Sequence, residues 1–301
     1  MTHSTIQPKT FRNAIAMVVV ALCVATGVAA AKGDPITTPS VMTMRVDGEI
    51  AIDAQGKVLD YRIDTKLEPA VRAQLDKAIP KWSFFPVKIE GKPTAVKSRM
   101  RVTMLAREVA AGYAVSVDNV LFHDDRATTA PPSADGATAL ASSISSKSRV
   151  PPGYPKELMR SGVEGAVLVY ILVTPEGKVG DVVAAQSSLF NVRGRTRTLD
   201  EALRLLESNT IAAVKKWRFN VPTGHNVSDP NYMTVAVPVN YVMAGNTRDA
   251  PGEWRIEIRS EHKSASWLPS SMLTQEVGIS DLGSGEVMPL VSRMRLRDNT
   301  L

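Results

Sequence analysis

Gly165-Ala166-Val167-Leu168-Val169-Tyr170-Ile171-Leu172-Val173-Thr174-Pro175-Glu176-Gly177-Lys178-Val179-Gly180-Asp181 is the stretch that decides the fold. An apolar run leads into a turn, and a second apolar run follows. Thr174-Pro175-Glu176-Gly177 suits a type I turn, with proline at its second position and glycine at its fourth. The stretch therefore reads as a β-hairpin. The same phrase occurs earlier in the chain, at Gly48-Glu49-Ile50-Ala51-Ile52-Asp53-Ala54-Gln55-Gly56-Lys57-Val58-Leu59-Asp60. Apolar run, turn with Gly-Lys-Val, apolar run: the sequence contains an internal repeat.

A helix is predicted after each hairpin. Downstream of the second, Leu199, Leu203, Leu206, Thr210, Val214 and Trp217 recur at helical spacing and form one apolar stripe. Thr198-Leu199-Asp200-Glu201 reads as a capping box that starts this helix. Downstream of the first hairpin, Val71, Leu75, Ala78, Ile79 and Trp82 give the matching stripe, and Pro69 suits the first helical turn. Both helices close on one phrase, Lys81-Trp82-Ser83-Phe84 and Lys216-Trp217-Arg218-Phe219. Trp82, Phe84, Trp217 and Phe219 are expected to anchor the cores.

A final strand completes each unit. Met100, Val102 and Met104 alternate with Arg99, Arg101 and Thr103; Val235, Val237, Val239 and Tyr241 alternate with Thr234, Ala236, Pro238 and Asn240. A period of two predicts one packed and one exposed face. The fold class is α+β: two small domains, each a three-stranded antiparallel sheet packed by a helix, in the order β-β-α-β. The expected domains are residues 41–123 and 151–244. Residues 124–150 are the expected linker, rich in Ala, Ser, Thr and Pro with little to bury. An added strand is expected at residues 113–122 and another at 253–259; the rest of 245–301 has no assigned structure.

The N-terminus reads as an export signal. Lys9 and Arg12 precede an uncharged stretch, residues 14–31, which ends in Ala29-Ala30-Ala31. The alternative is an uncleaved membrane anchor, since about 18 residues is the lower limit for crossing a bilayer. Cleavage would remove Cys23, the one cysteine of the chain, and leave a periplasmic protein with no disulfide. The net charge of +6 lacks the dense basic run that nucleic-acid binding would call for.

Catalytic constellations are missing from the sequence. His3, His123, His225 and His262 have no metal-ligand spacing, and there is neither a nucleophile elbow nor a phosphate loop. His123-Asp124-Asp125 reads as a cation site or an exposed turn. Arg193-Gly194-Arg195-Thr196-Arg197 reads as a patch for anionic polymers or a solvated loop. The expectation is a protein that is not an enzyme and has no catalytic residues, metal or cofactor.

An ordered series of short phrases remains. Tyr154-Pro155 precedes Lys156-Glu157-Leu158, Gly162-Val163-Glu164-Gly165 and the strand to Val173. Gly177-Lys178-Val179, Ser187-Ser188, Leu199-Asp200-Glu201-Ala202, Trp217-Arg218-Phe219 and Thr234-Val235-Ala236-Val237-Pro238-Val239 follow. Together, from about residue 151 to 243, they resemble the C-terminal domain of the TonB family, the periplasmic energy transducers. Residues 44–106 look like a degenerate second copy that lacks the Tyr-Pro pair. The resemblance implies binding of extended segments of outer-membrane receptors, added as a strand to the sheet edge, in transport across the outer membrane. The implied site is the strand Thr234, Val235, Ala236, Val237, Pro238, Val239, Asn240 and Tyr241, with the Tyr154-Pro155 box. Pro238 cannot donate to a ladder and so favours an edge; it would serve either peptide addition or protection against aggregation. The box would either contact the receptor or form a packed turn. Two departures bear on energy coupling: residues 14–31 carry no Ser/His pair, and the linker is short. Two functions remain open, a receptor-binding adaptor and an envelope scaffold that forms homodimers through the same edges.

Overall fold

The computed structural model describes residues 19–20, 40–89, 91–110, 112–123, 144–221, 233–245, 250–268, 277–279, 282, 286–290 and 294–297. The expected signal or anchor therefore lies outside the described residues, except for strand β1 (Val19–Val20).

The first stretch contributes β2 (Val41–Ile52), β3 (Val58–Ile63), α1 (Pro69–Ala78), the short pair β4 (Lys88–Ile89) and β5 (Lys92–Pro93), β6 (Val96–Val109) and β7 (Gly112–His123). The second contributes β8 (Ser145–Ser148), α2 (Lys156–Arg160), β9 (Glu164–Val173), β10 (Val179–Phe190), α3 (Thr196–Val214), β11 (Arg218–Asn220) and β12 (Thr234–Tyr241). β13 (Arg255–Arg259) and β14 (Met288–Pro289) follow. Pro69 occupies the first turn of α1, as expected. α3 begins at Thr196, with Arg195 as its N-cap and no side-chain cap. The capping box at Thr198 is thus corrected. Thr198 lies inside the helix, and the Glu201 carboxylate reaches Arg197 one turn back at 3.1 Å.

Both hairpin turns close with the same bonds. Asp53 N donates to Lys57 O (2.8 Å), and Thr174 N donates to Lys178 O (2.8 Å). Gly56 O accepts from Phe84 N, and Gly177 O from Phe219 N, each at 2.8 Å. The segment after each helix is thereby tied to the hairpin ahead of it. Each helix is followed by a tryptophan that donates its backbone N–H three residues back, Trp82 to Ile79 O (3.1 Å) and Trp217 to Val214 O (2.9 Å).

Ten of these strands join in one antiparallel sheet, ordered β1-β7-β6-β2-β13-β10-β9-β12-β14, with β3 on the far half of β2, while β4 pairs β5 and β8 pairs β11 apart from it. β13 is the joining strand. It pairs Arg255–Glu257 with Thr43–Val41 of β2 and Glu257–Arg259 with Phe190–Ser188 of β10. Because β13 is antiparallel to both, β2 runs parallel to β10 and therefore antiparallel to β9. The two hairpins point in opposite directions, related by an approximate two-fold axis normal to the sheet.

Both helices lie on one face. α1 covers Met44, Val46, Ile50 and Ile52 of β2 and Met100, Val102 and Met104 of β6. α3 covers Val167, Val169 and Ile171 of β9, Val235, Val237 and Val239 of β12, and Ile258 of β13. The other face of the second stretch was expected to be exposed. It is buried: Ala166, Leu168, Tyr170, Ala185 and Ala236 pack against Ala265, Leu268, Val277, Ile279, Leu282 and Met288. The C-terminal region supplies a second layer there, and that is why Thr234 and Ala236 are fully buried.

Residues 144–150, expected in the linker, fold onto the second core. Ile144 is buried, β8 pairs with β11, and Val150 O accepts from the Trp217 indole at 2.8 Å. The chain end does the same for the first core: Met294 and Leu296 are buried there, and Leu296 bridges to Phe84.

Candidate functional site

The candidate strand β12 pairs with β9 along its whole length, Thr234 with Leu172 through Tyr241 with Gly165. Backbone direction alternates along it. Val173 N donates to Met233 O (2.9 Å), so odd-numbered residues bond to β9; Leu290 N donates to Thr234 O (3.4 Å), so even-numbered residues face outward. Pro238 belongs to the outward set, where a missing N–H removes no bond to β9. Among the described residues, the strand outside β12 is β14, which reaches only Val235 and Ala236. In the first stretch β6 takes the position of β12, and it carries β7 antiparallel along its full length, Arg99 opposite His123 through Val109 opposite Gly112. Side chains along β12 are buried on both faces, with Asn240 intermediate. The outward backbone positions of the strand are Thr234, Ala236, Pro238 and Asn240.

The Tyr154-Pro155 box sits at one end of β12. Pro155 is the N-cap of α2. The Tyr154 hydroxyl donates to Val163 O at 2.7 Å, and its ring meets Tyr241 edge-on at 5.4 Å between centroids. Tyr241 in turn shares a hydrogen bond with Thr210 Oγ1 (2.8 Å) and accepts one from Asn209 Nδ2 (3.0 Å), which also donates to Gly153 O (2.6 Å). Burial, then the Glu164 carboxylate and Tyr241, push the Tyr154 phenol up to about 12, so it remains a donor at neutral pH. The box is a packed lock between α2, the start of β9 and the end of β12. Tyr154→Phe would leave the Val163 carbonyl without this donor and should cost about 1–2 kcal/mol. Urea unfolding of the two proteins at pH 7 measures it, and superimposed curves would rule the lock out.

Trp82, Phe84, Trp217 and Phe219 are all buried in the two helix-side cores. Arg193, Arg195 and Arg197 are exposed around the first turn of α3. His123 is buried with Nδ1 3.0 Å from Glu286 Oε1, and His262 Nε2 lies 3.1 Å from the Tyr170 hydroxyl. Asp124, Asp125, His3 and His225 are outside the described residues. Among the described residues, no three His, Cys, Asp or Glu side chains are grouped to hold a metal.

Sequence reasoning missed the polar center at the joining strand. Glu257 is fully buried. Its Oε2 accepts from Thr43 Oγ1 of β2 (2.7 Å) and its Oε1 from Ser188 Oγ of β10 (2.6 Å), so one carboxylate ties both halves of the sheet. Arg259 Nε lies 3.1 Å from Glu257 Oε1, and Arg259 Nη1 donates to Asp118 of β7 at 2.6 Å. Burial alone would raise the Glu257 carboxyl. The Arg259 and Arg255 charges and the two hydroxyl donors outweigh it and hold the group below the usual carboxylate range. The signal in the sequence was the alternating Arg-Ile-Glu-Ile-Arg run, whose acid lies between two bases on one face.

Over 100 residues the chain is 36% identical to Protein TonB of Xanthomonas campestris pv. campestris, in strain B100 and in strain ATCC 33913. The matched part is 33% of this chain and 38% of each relative, so the chain spans well under half of their length. This similarity supports a TonB-like domain within the chain. No family model and no solved structure matches. No helix among the described residues is long and apolar enough to cross a membrane.

Proposed function

We propose that the chain is an exported, periplasmic TonB-like binding protein that takes up an extended segment of an outer-membrane receptor as an added strand on β12, serving transport across the outer membrane. One observation supports this reading: among the described residues, β14 is the strand on the outer side of β12 and it covers Val235 and Ala236, whereas β6, its counterpart, carries a full strand. An unfilled sheet edge holds an extended peptide through backbone hydrogen bonds. The antiparallel seating of β7 on β6 gives the expected direction of the ligand. In this reading residues 44–106 are a degenerate copy of the TonB-like unit, the two units are separate domains in origin, and the first has its own β7 where the second takes a ligand. The Tyr-Pro box then acts as a support that fixes the end of β12, and ligand specificity comes from backbone geometry more than from the buried side chains. The protein carries out no reaction of its own.

The test is an NMR titration of the full chain with peptides from the N-terminal periplasmic segments of outer-membrane receptors. Binding should shift the amides of Ala236, Val237, Val239, Asn240 and Tyr241 and leave those of β3 in place. If no receptor peptide moves β12, the proposal fails.

A further inference from the structure

The second strand of each hairpin, β3 and β10, carries the same device at the same place. Leu59 and Gly180 are skipped in the pairing: Ala51 lies opposite Asp60 and Ile52 opposite Val58, while Leu172 lies opposite Asp181 and Val173 opposite Val179. Each hairpin thus has a β-bulge just past its turn glycine, and the residue after the bulge is an aspartate. Both aspartates are exposed, and each turns its carboxylate onto the N–H that follows it. Tyr61 N donates to Asp60 Oδ1 and Val182 N donates to Asp181 Oδ1, both at 2.8 Å.

Both N–H groups point away from their hairpins. Asp64 N donates to Asp47 O (2.9 Å), so odd-numbered residues of β2 face β3 and even-numbered ones face away from it. Tyr61 lies opposite Ile50, so its own N–H is directed outward. In the second hairpin Ile171 faces Val235 of β12, and Val182 lies opposite Ile171, so the Val182 N–H is outward too. Among the described residues, the strand that pairs with β3 is β2. On β10, β13 covers Ser188–Phe190, and Ser260 N and Lys263 N donate to Ser187 O and Ala185 O; Val182 precedes that cover.

We propose that Asp60 and Asp181 are guards that close the outer edges of β3 and β10 to strand addition by a second copy of this chain. An added strand bonds through the outward N–H groups of the edge it joins. At Tyr61 and Val182 a carboxylate already occupies that group, and an incoming carbonyl oxygen would meet a negatively charged oxygen in its place. The bond to the charged acceptor is also the stronger of the two. The bulge adds to the closure by twisting the edge away from a flat partner. The guard matters most on β3, where Leu59 is 63% exposed and would offer a second copy an apolar contact beside the edge. This inference is independent of strand addition at β12.

The experiment uses the full chain. Asp60→Ala, Asp181→Ala and the double variant are followed by sedimentation over a concentration series. Glu157→Ala, which removes an equal charge from an exposed position of α2, is the control. Each aspartate-to-alanine change should tighten self-association about tenfold, and the control should sediment like wild type. In dilute samples the Tyr61 or Val182 amide should exchange faster once its acceptor is gone, and should slow again as copies associate. Asp60→Asn and Asp181→Asn keep a neutral oxygen at the acceptor position and should fall between wild type and alanine. If an alanine form fails to fold, its asparagine counterpart still supplies the comparison. The proposal is overturned if the aspartate variants sediment like wild type at every concentration, or if Glu157→Ala associates as strongly as they do. Faster amide exchange without association overturns it equally, because the carboxylates would then cap the N–H groups and guard nothing.

Discussion

Glu257→Ala should lower the unfolding free energy by about 3–5 kcal/mol, the usual cost of removing one partner from a buried ion pair. Three consequences add together. Arg259 keeps Asp118 but loses its second carboxylate. Thr43 and Ser188 lose the acceptor between them, though both remain buried. The bond that ties β2 to β10 through β13 disappears, so the loss falls on the junction and not on either helix-side core. Glu257→Gln separates charge from shape: it keeps an amide in place of the carboxylate and should cost less than alanine. The pH dependence has a definite sign. Because the folded carboxyl lies below its unfolded value of about 4.3, its contribution is complete above that pH and is lost as pH falls through the depressed folded value. Wild type should therefore lose stability below about pH 4 more steeply than Glu257→Gln. Urea midpoints at pH 7, 5, 4 and 3 for the three proteins measure both effects. Equal acid limbs in wild type and Glu257→Gln would show that the junction carboxylate carries no such charge dependence.

Gly177→Ala should cost about 3 kcal/mol or more, and Gly91→Ala about 1 kcal/mol. Both glycines have positive φ, +75° and +78°. An alanine at either position pays the left-handed backbone penalty. They differ in space. A Cβ on Gly91 meets nothing within 4 Å, whereas a Cβ on Gly177 would lie 2.1 Å from Phe219 O. That oxygen cannot easily withdraw, since Phe219 is buried in the core and its N–H is bonded to Gly177 O. Gly56 repeats the arrangement, with Phe84 O at 2.1 Å and φ +85°. Gly56→Ala should thus resemble Gly177→Ala, with the damage in the other half. Thermal or urea unfolding of the three variants checks the ranking. A Gly177→Ala protein no less stable than Gly91→Ala would mean that the hairpin does not clamp the segment after the helix.

Local features were legible in the sequence because neighboring residues fix them. The turn at Thr174–Gly177, the stripe from Leu199 to Val214 and the tryptophan closing each helix all depend on short-range spacing, and the structure places them as read. The capping box failed for a local reason too: Arg195 and Thr196 extend α3 upstream, and Arg197 offers Glu201 a partner that the four-residue pattern does not consider. Burial of the helix-free face was not legible. Ala265, Leu268, Val277, Ile279 and Leu282 sustain neither a period of two nor one of 3.6 along the sequence, so nothing marked them as a layer over the sheet. Glu257 was hidden for a different reason. A charged residue in an alternating strand reads as solvent-facing until the hydroxyls and guanidinium groups that receive it are known, and these come from β2, β10 and β7. At the candidate site, the missing N–H of Pro238 pointed to an edge strand, whereas β14 pairs outside β12 at Val235 and Ala236; no short-range pattern in the sequence announced Met288 and Pro289 beside it.

The joining strand also dictates an order of assembly. Thr43 and Glu257 are 214 positions apart, so β2 is synthesized long before β13 can reach it. Until then the start of β2 and the end of β10 are bare edges, able to pair with any extended chain nearby. Closing such a distant contact comes late in folding, after the hairpins and their helices have formed. A chain interrupted before residue 255 would keep both hairpins and still expose these edges. Its characteristic failure would be self-association through these edges and through the apolar face that residues 265–288 no longer cover.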